Sequence, residues 1–231
     1  MSAAGADMVR AMFTRIAGRY DLMNALMTGG RHHAWRRAAA RAAVAAPPGP
    51  ILDLATGTAD LALAIRALEP RRLVVGADFA EGMLRAAAAK PAVRAARVPL
   101  LGADALALPF RDRTFAAVTS AFLLRNLEDL VAGLAEMRRV TAPGGRVVTL
   151  DITRPSLPVW SQLFGLYFHR VVPAIGAAIA RDRGAYTYLP ESVDRFVTPG
   201  ELSLTMRRLG FVDVTCRRLG LGTIAVHAAT V

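Results

Sequence analysis

The segment that most constrains the fold is a short apolar strand that runs into a loop of small residues and then into a helix. The motif LDLATGTAD (52–60) spans the end of the strand and the loop, and the amphipathic residues 61–68 follow it. Prolines just before Ile51 prevent a helix there, so a strand begins at that residue. Gly57 and its small neighbours let the backbone approach a ligand closely. The pattern predicts the first strand–loop–helix unit of an α/β domain, with a loop suited to a nucleoside-like ligand.

The residue at the start of this helix favours a cofactor without phosphate. A dinucleotide would place its pyrophosphate at the N-terminus of the helix, and Asp60 stands there. Its carboxylate would repel phosphate, and we expect it to cap the helix itself. A nicotinamide dehydrogenase is disfavoured for the same reason and by the incomplete glycine pattern. A cofactor with an ammonium group fits better, and S-adenosylmethionine is such a cofactor.

Aspartates accompany three successive predicted strands. Asp53 lies at the end of the first strand, Asp78 follows the apolar run 73–76, and Asp104 follows the run 99–101. Each alone would be explained by a turn or a helix cap. Together they fall at the carboxyl ends of parallel strands, the edge where open α/β sheets bind ligands. We therefore expect Asp78 to hold ribose hydroxyls and Asp104 to lie near an adenine amino group.

The alternation of strand and helix continues to the end of the chain. Strands are predicted at 116–121 and 146–150, and the helix between them stops before Pro143. A capping box that begins at Thr198 opens a later helix. The expected fold is a Rossmann-like, three-layer α/β domain with a mostly parallel seven-stranded sheet that ends in an antiparallel C-terminal hairpin. The two strands of that hairpin are predicted at 211–217 and 222–228.

Composition narrows the classes of protein further. Hydrophobic residues make up 54% and charged residues 20% of the 231 residues, as in one globular domain. No run approaches the roughly 18 apolar residues of a membrane span, and the N-terminus lacks a secretory pattern, so we expect a cytoplasmic protein. Cys216 and four scattered histidines show no metal-ligand spacing, so no metal is expected. The net charge of +11 favours phosphate partners, but Lys90 is the only lysine among 29 basic residues, which equally fits a coding bias.

Several motifs together resemble class I methyltransferases. They are LDLATGTAD, GADF (76–79), DALALPF (104–110) and PGGRVV (143–148). The flanking segments resemble, more narrowly, the ubiquinone/menaquinone biosynthesis C-methyltransferase family, and the match covers nearly the whole chain. Those segments are 12–37, FLLRN (122–126), 175–193 and GTIAVHA (222–228). The chain departs from the family pattern where FGLRN is FLLRN, where the usual serine is Ala121 and where a strand-end glutamate is Asp151.

The resemblance implies S-adenosylmethionine-dependent methylation of a ring carbon in a lipid-tailed quinol, either a demethylmenaquinol or a polyprenyl methoxybenzoquinol. The family's cofactor contacts carry over to Thr58, Asp78, Asp104 and Ala105. We add four residues to the expected cofactor site: Asp53, Gly57, Phe79 and Ala121. Another phenolic or quinone-like acceptor is the alternative substrate, and RNA is a weaker one.

The chemistry of methyl transfer indicates which side chains matter. A sulfonium methyl is already activated, so the enzyme aligns the reactants, excludes water and removes a proton. We expect Arg125 and Asn126 to hold the ring oxygen or a water molecule, because Arg125 would stabilise a phenolate but is too basic to accept the proton. The sequence leaves four candidates for proton transfer: His169, Tyr186, Tyr188 and Asp151.

One domain is expected over residues 1–231, with a helical cap at 1–46 and an inserted lid at 155–195. The apolar residues 160–180 of the lid are expected to line a groove for the lipid tail. A homodimer and peripheral contact with a membrane stay open. No nucleic-acid partner is expected, because the segment after the fourth strand lacks the acidic, proline and aromatic pattern of amino-group methyltransferases. A non-catalytic binding module would be expected to lose cofactor residues, which are intact here.

Overall fold

The computed structural model describes residues 3–180 and 182–231, and a seven-stranded sheet forms its centre. The strands are β1 (Ile51–Leu54), β2 (Val74–Asp78), β3 (Leu100–Gly102), β4 (Phe115–Ala121), β5 (Thr141–Ile152), β6 (Val212–Leu219) and β7 (Ile224–Thr230). Their order is β3-β2-β1-β4-β5-β7-β6. β7 pairs antiparallel with β5 and β6, and the other pairings are parallel. The predicted α/β fold with its C-terminal hairpin is confirmed.

Helices cover both faces of the sheet. They are α1 (Ala3–Ile16), α2 (Tyr20–Thr28), α3 (His32–Val44), α4 (Asp60–Leu68), α5 (Glu81–Ala89), α6 (Pro91–Ala95), α7 (Leu130–Val140), α8 (Pro158–Leu166), α9 (Val172–Ile175), α10 (Arg183–Arg195) and α11 (Pro199–Arg208). Alternate strand residues face opposite sides. In β1, Ile51 packs with α3 and α4, whereas Leu52 packs with α7 and α11.

The turn between α7 and β5 corrects one sequence expectation. A loop was expected at residues 143–145, before a strand at 146–150, but β5 begins at Thr141, directly after α7. The expected turn residues belong to β5, and the register of its pairing with β4 shifts next to them. Gly144 has a φ of +73°. A Cβ on Gly145 would lie 2.7 Å from the carbonyl oxygens of Ala116 and Ala142, so only glycine fits between these strands.

The lid and the first two helices, α1 and α2, pack together as a cluster outside the three α/β/α layers. In the lid, a π-helical stretch at Tyr167–Val171 connects α8 to α9, and a second one at Gly176–Ala180 follows α9. Gly176 packs directly against the Tyr186 ring, which leaves no room for a Cβ. Lid residues such as Phe168 share a buried cluster with Met12 and Met23 from α1 and α2, whereas α3 packs on the sheet. Within the described ranges, no helix has the length and apolarity needed to cross a bilayer.

Candidate active site

The loop after β1 is shaped by backbone hydrogen bonds to Asp78 at the end of β2. The Gly57 N–H donates to Oδ2 of Asp78 at 2.7 Å, and the Ala80 N–H donates to Oδ1 at 2.8 Å. Burial raises the pKa of Asp78, and these two N–H donors oppose the rise. Gly57 itself has a φ of +57°, a conformation that glycine adopts without strain. The Asp78 carboxylate therefore ties the ends of β1 and β2 together at the carboxyl edge of the sheet.

A cavity of about 930 Å³, its open mouth included, lies at this edge, and we name it the sheet-edge cavity. Six of the eight residues predicted to bind cofactor line it: Gly57, Asp78, Phe79, Asp104, Ala105 and Ala121. Asp104 accepts the Leu106 N–H at 2.9 Å and is otherwise exposed to the cavity mouth. The strands therefore bring acids that are distant in the chain to one concave surface, as the sequence predicted.

Asp53 and Thr58 lie elsewhere. The side chain of Asp53 is buried beneath the loop, where it accepts hydrogen bonds from the hydroxyls of Thr56 and Thr119 and from the Ala62 N–H. Burial raises the pKa of Asp53 to about 6 against the effect of these donors. The Thr58 hydroxyl donates to Asp21 at 2.6 Å. Neither residue lines the sheet-edge cavity, but both line a smaller cavity between the loop and α3, and the hydrogen bonds of Asp53 also support the loop.

The smaller cavity between the loop and α3, which we name the loop pocket, shares Tyr20, Ala55, Gly57 and Ala121 with the sheet-edge cavity. Arg36 also lines it and is only 4% exposed. Its Nη1 atom is buried and lies 3.6 Å from Oδ2 of Asp60, and it makes no hydrogen bond to any described residue. Sequence reasoning missed Arg36. The signal that could have found it is its position on one helix face with three alanines that prove to be buried: Ala39, Ala40 and Ala43.

Asp60 does not cap α4, so that expectation was wrong. The N-cap position is held by Ala59, which makes no side-chain capping bond. Burial alone would raise the pKa of Asp60, but Arg36 and Lys90 hold the pKa below its usual value. The Lys90 ammonium lies 2.7 Å from Asp60 and 2.6 Å from Asp21. The chain's only lysine therefore joins α2 to the start of α4.

A second large cavity lies under α1, α2 and the lid, and we name it the cap cavity. It encloses about 940 Å³, its open mouth included, and its lining is mostly apolar and aromatic. Phe164, Tyr167 and Phe168 of the lid contribute to this lining. Both large cavities are lined by the same three aromatic residues: Phe13, Tyr20 and Phe122. The two cavities therefore adjoin at a wall of aromatic rings.

The FLLRN motif supplies polar groups at this wall. Arg125 lines the cap cavity and its side chain is 5% exposed, with Nε and Nη1 making no hydrogen bond to described residues. Its guanidinium carbon lies 5.6 Å from the centre of the Phe122 ring. Asn126 lines the sheet-edge cavity, donates to the Phe122 carbonyl and accepts from the Tyr188 hydroxyl at 3.1 Å. Arg125, Asn126 and Tyr188 thus meet where the two cavities adjoin.

The four candidates for proton transfer have different environments. Asp151 is buried beside Arg125, and burial raises its pKa to about 7 against the opposing charge of Arg125. Burial also raises the pKa values of Tyr186 and Tyr188, both of which line the cap cavity. His169 lines neither large cavity and pairs with Asp194 at 3.2 Å, with both side chains nearly half exposed.

Comparison with known proteins identifies the family of the chain. The model of the ubiE/COQ5 methyltransferase family matches residues 1–231. The chain belongs to the ubiE/COQ5 methyltransferase family. A demethylmenaquinone methyltransferase of Thermus thermophilus is 47% identical over 216 residues, which are 94% of this chain and 98% of the relative. A ubiquinone/menaquinone biosynthesis C-methyltransferase of Desulfotalea psychrophila is 43% identical over 95% of this chain and 88% of the relative.

The fold is that of S-adenosylmethionine-dependent methyltransferases. A solved structure from Thermotoga maritima, described as such an enzyme and as a possible histamine N-methyltransferase, superposes with a TM-score of 0.67 at 18% identity, covering 95% of this chain and 98% of that one. Membership of the ubiE/COQ5 family, together with this fold, confirms that the chain is an S-adenosylmethionine-dependent methyltransferase. The roles of the individual site residues stay predictions. Most of these residues line one of two adjoining cavities.

Proposed function

We propose that this enzyme transfers a methyl group from S-adenosylmethionine to a ring carbon of a lipid-tailed quinol, with demethylmenaquinol as the first choice. The observation that carries this proposal is that a cavity lined by acids adjoins an apolar one at Phe13, Tyr20 and Phe122, so that a methyl donor in the first can face an acceptor ring in the second. A flat quinol ring fits an apolar, aromatic cavity. The names of the relatives support a quinol acceptor.

The sheet-edge cavity and the loop pocket fit the two ends of the cofactor. In the sheet-edge cavity, the free capacity of the Asp78 and Asp104 carboxylates suits ribose hydroxyls and an adenine amino group. In the loop pocket, Nη1 of Arg36 is ion-paired with Asp60 at 3.6 Å but makes no hydrogen bond, so it keeps a donor that suits the carboxylate of the amino-acid end. When bound, the cofactor supplies an electrophilic methyl group. Phe122 and Tyr20, which line both large cavities, would exclude water between the two reactants.

Arg125 would stabilise the negative charge that forms on the ring oxygen when the quinol gives its hydroxyl proton to water. That charge makes the ring carbon electron-rich, and a buried guanidinium with unfilled donors acts strongly in such an apolar cavity. Methyl transfer to the ring carbon would release S-adenosylhomocysteine, and that carbon would then lose its own proton to water, which restores the aromatic ring. Tyr188, which lines the cap cavity and donates to Asn126 on the side of the sheet-edge cavity, would orient the ring. Asp151 lies behind Arg125 and lines neither large cavity, so we assign it the positioning of that guanidinium. We assign His169 no part in proton transfer, because it also lies outside both large cavities.

The proposal is tested by supplying purified enzyme with labelled S-adenosylmethionine and one acceptor at a time. The acceptors are a reduced demethylmenaquinone, a demethylated ubiquinol precursor, a tail-less phenol and bulk RNA. We expect label in the demethylmenaquinol. Label in the ubiquinol precursor alone would change which quinol is assigned as the substrate but would keep the assigned reaction. Label only in the phenol or in RNA would overturn the assignment of a lipid-tailed quinol.

A further inference from the structure

The lid presents a row of large apolar side chains to solvent. None of the residues of α8 is buried. Val159 is 73% exposed, and Leu163 and Leu166 are each 54% exposed. The adjoining α2 exposes two more leucines, and the Tyr167 hydroxyl, which donates to the Met27 carbonyl at 2.8 Å, fixes the lid against α2. We name this surface the docking face and define it by Leu22, Leu26, Leu157, Val159, Leu163 and Leu166. Soluble monomers rarely expose contiguous apolar surface of this kind without a partner.

The segments that carry the docking face contain no acidic residue. The sequence has no aspartate or glutamate in residues 22–52 or in residues 152–181. Arginines are present in both segments, and Arg31, Arg154 and Arg170 are exposed. Exposed arginines of these segments outnumber the acids that approach them from other elements, among which are Asp194 beside His169 and Glu201 near Arg154. The apolar face with this excess of basic charge complements a bilayer that contains anionic lipid. The same charge opposes the pairing of this face with a second copy of itself.

The opposite side of the same lid segment faces the cap cavity. Phe164, Tyr167 and Phe168 line that cavity, whereas Leu163 and Leu166 point outward and do not. One short stretch of helix therefore stands between solvent and the cavity. A molecule whose tail remains in a bilayer under the docking face would have only this stretch to pass before its ring reached Arg125.

We propose that the docking face rests on an anionic phospholipid bilayer and that quinol enters the cap cavity from that side. Leucine and valine side chains would enter the interfacial region, and Arg154 and Arg170 would contact lipid phosphates. The route taken by the quinol rests on the proposed function, whereas the binding of lipid does not.

The experiment compares wild-type enzyme with the double variant Leu163→Glu/Leu166→Glu and with the control Leu204→Glu. Leu204 is 52% exposed but lies on α11, which packs on the sheet away from the lid. Sedimentation is measured with vesicles of phosphatidylcholine alone and of phosphatidylcholine with phosphatidylglycerol. We expect wild type and the control to bind the anionic vesicles, and the double variant to bind at least about tenfold more weakly. Equal binding by the three proteins, or no binding by wild type, would overturn the proposal.

Two further readouts separate this inference from its alternatives. Light scattering reports the mass in solution, and a wild-type dimer that the double variant abolishes would show that the face joins two copies instead of binding lipid. Methyl transfer is measured with a short-tailed, water-dispersed demethylmenaquinol and with a long-tailed one held in vesicles. We expect the double variant to lose activity only on the vesicle-held quinol. Loss of activity on both substrates would contradict the proposed entry route, whereas vesicle binding without activity on any quinol would contradict the proposed function alone.

Discussion

Nη1 of Arg125 lies 3.8 Å from Oδ1 of Asp151, and both side chains are almost completely buried. This distance is too long for a hydrogen bond, and no side chain among the described residues donates to either Asp151 oxygen, although the Leu124 backbone lowers the pKa of this carboxyl. Burial lowers the pKa of Arg125 and raises that of Asp151, while each charge favours ionisation of the other. The guanidinium is thus held at the edge of the cap cavity with N–H donors that have no hydrogen-bond acceptor. A negative charge that develops on the oxygen of the quinol ring would accept hydrogen bonds from these donors.

Replacing Arg125 with methionine is therefore expected to remove an interaction made mainly in the transition state. We expect kcat to fall by about 100- to 1,000-fold, as for other oxyanion donors. The affinity for S-adenosylhomocysteine, measured by calorimetry, should not change, because Arg125 does not line the sheet-edge cavity. His169→Ala serves as the control and should keep full activity. A variant that loses cofactor binding along with activity would show that Arg125 acts on the fold instead.

Replacing Arg36 with methionine is expected to weaken cofactor binding. A charge-assisted hydrogen bond contributes about 1.5–3 kcal/mol, so the Kd for S-adenosylhomocysteine should rise by roughly 10- to 100-fold. The matched control is Arg37→Met, because Arg37 is the next residue on α3 and is exposed. Equal affinities in the two variants would contradict the assignment of the loop pocket to the carboxylate end of the cofactor.

The sequence predicted which residues lie at the carboxyl edge of the sheet better than it predicted the direction in which their side chains point. Strand alternation and turn residues placed Asp78 and Asp104 at one edge because parallel strands align their carboxyl ends. Asp53 was placed there too, but β1 continues to Leu54, so the Asp53 side chain still belongs to the strand and faces the layer below the loop. The ion pair of Lys90 with Asp21 depends on how α2 and α5 pack, which no local pattern encodes.

Replacing Lys90 with methionine is expected to loosen α2 from the loop. Asp21 and Asp60 would then lose the ammonium group that lies within 2.7 Å of both. We expect faster amide hydrogen exchange in Tyr20–Thr28, with no change in Leu130–Val140, which packs on the other face of the sheet. The KM for S-adenosylmethionine should rise, because Tyr20 lines both the loop pocket and the sheet-edge cavity. Unchanged exchange in α2 would indicate that the aromatic and methionine contacts of the cap suffice to hold it.

Replacing Asp53 with asparagine is expected to change how stability depends on pH. The pKa of Asp53 is about 6 in the fold, above its ordinary value of 3.8, so the folded state binds more protons than the unfolded state between these values. Its contribution to stability is present below pH 4 and is lost as the pH rises through 6. Asparagine can keep the Thr56 and Ala62 bonds through its oxygen and donate to Thr119, and it carries no charge to desolvate.

The difference in unfolding free energy between Asp53→Asn and wild type should therefore grow as the pH rises from 4 to 7. The rise in the pKa of Asp53 from 3.8 to about 6 on folding corresponds to an increase of about 3 kcal/mol in favour of the variant. Urea unfolding at several pH values measures this difference. Glu81→Gln is the control, because Glu81 is exposed and pairs with Arg85 at the surface, so its replacement should leave the slope with pH nearly unchanged. A difference that shrinks with rising pH would mean that the hydrogen bonds to the Asp53 carboxylate outweigh the cost of burying its charge.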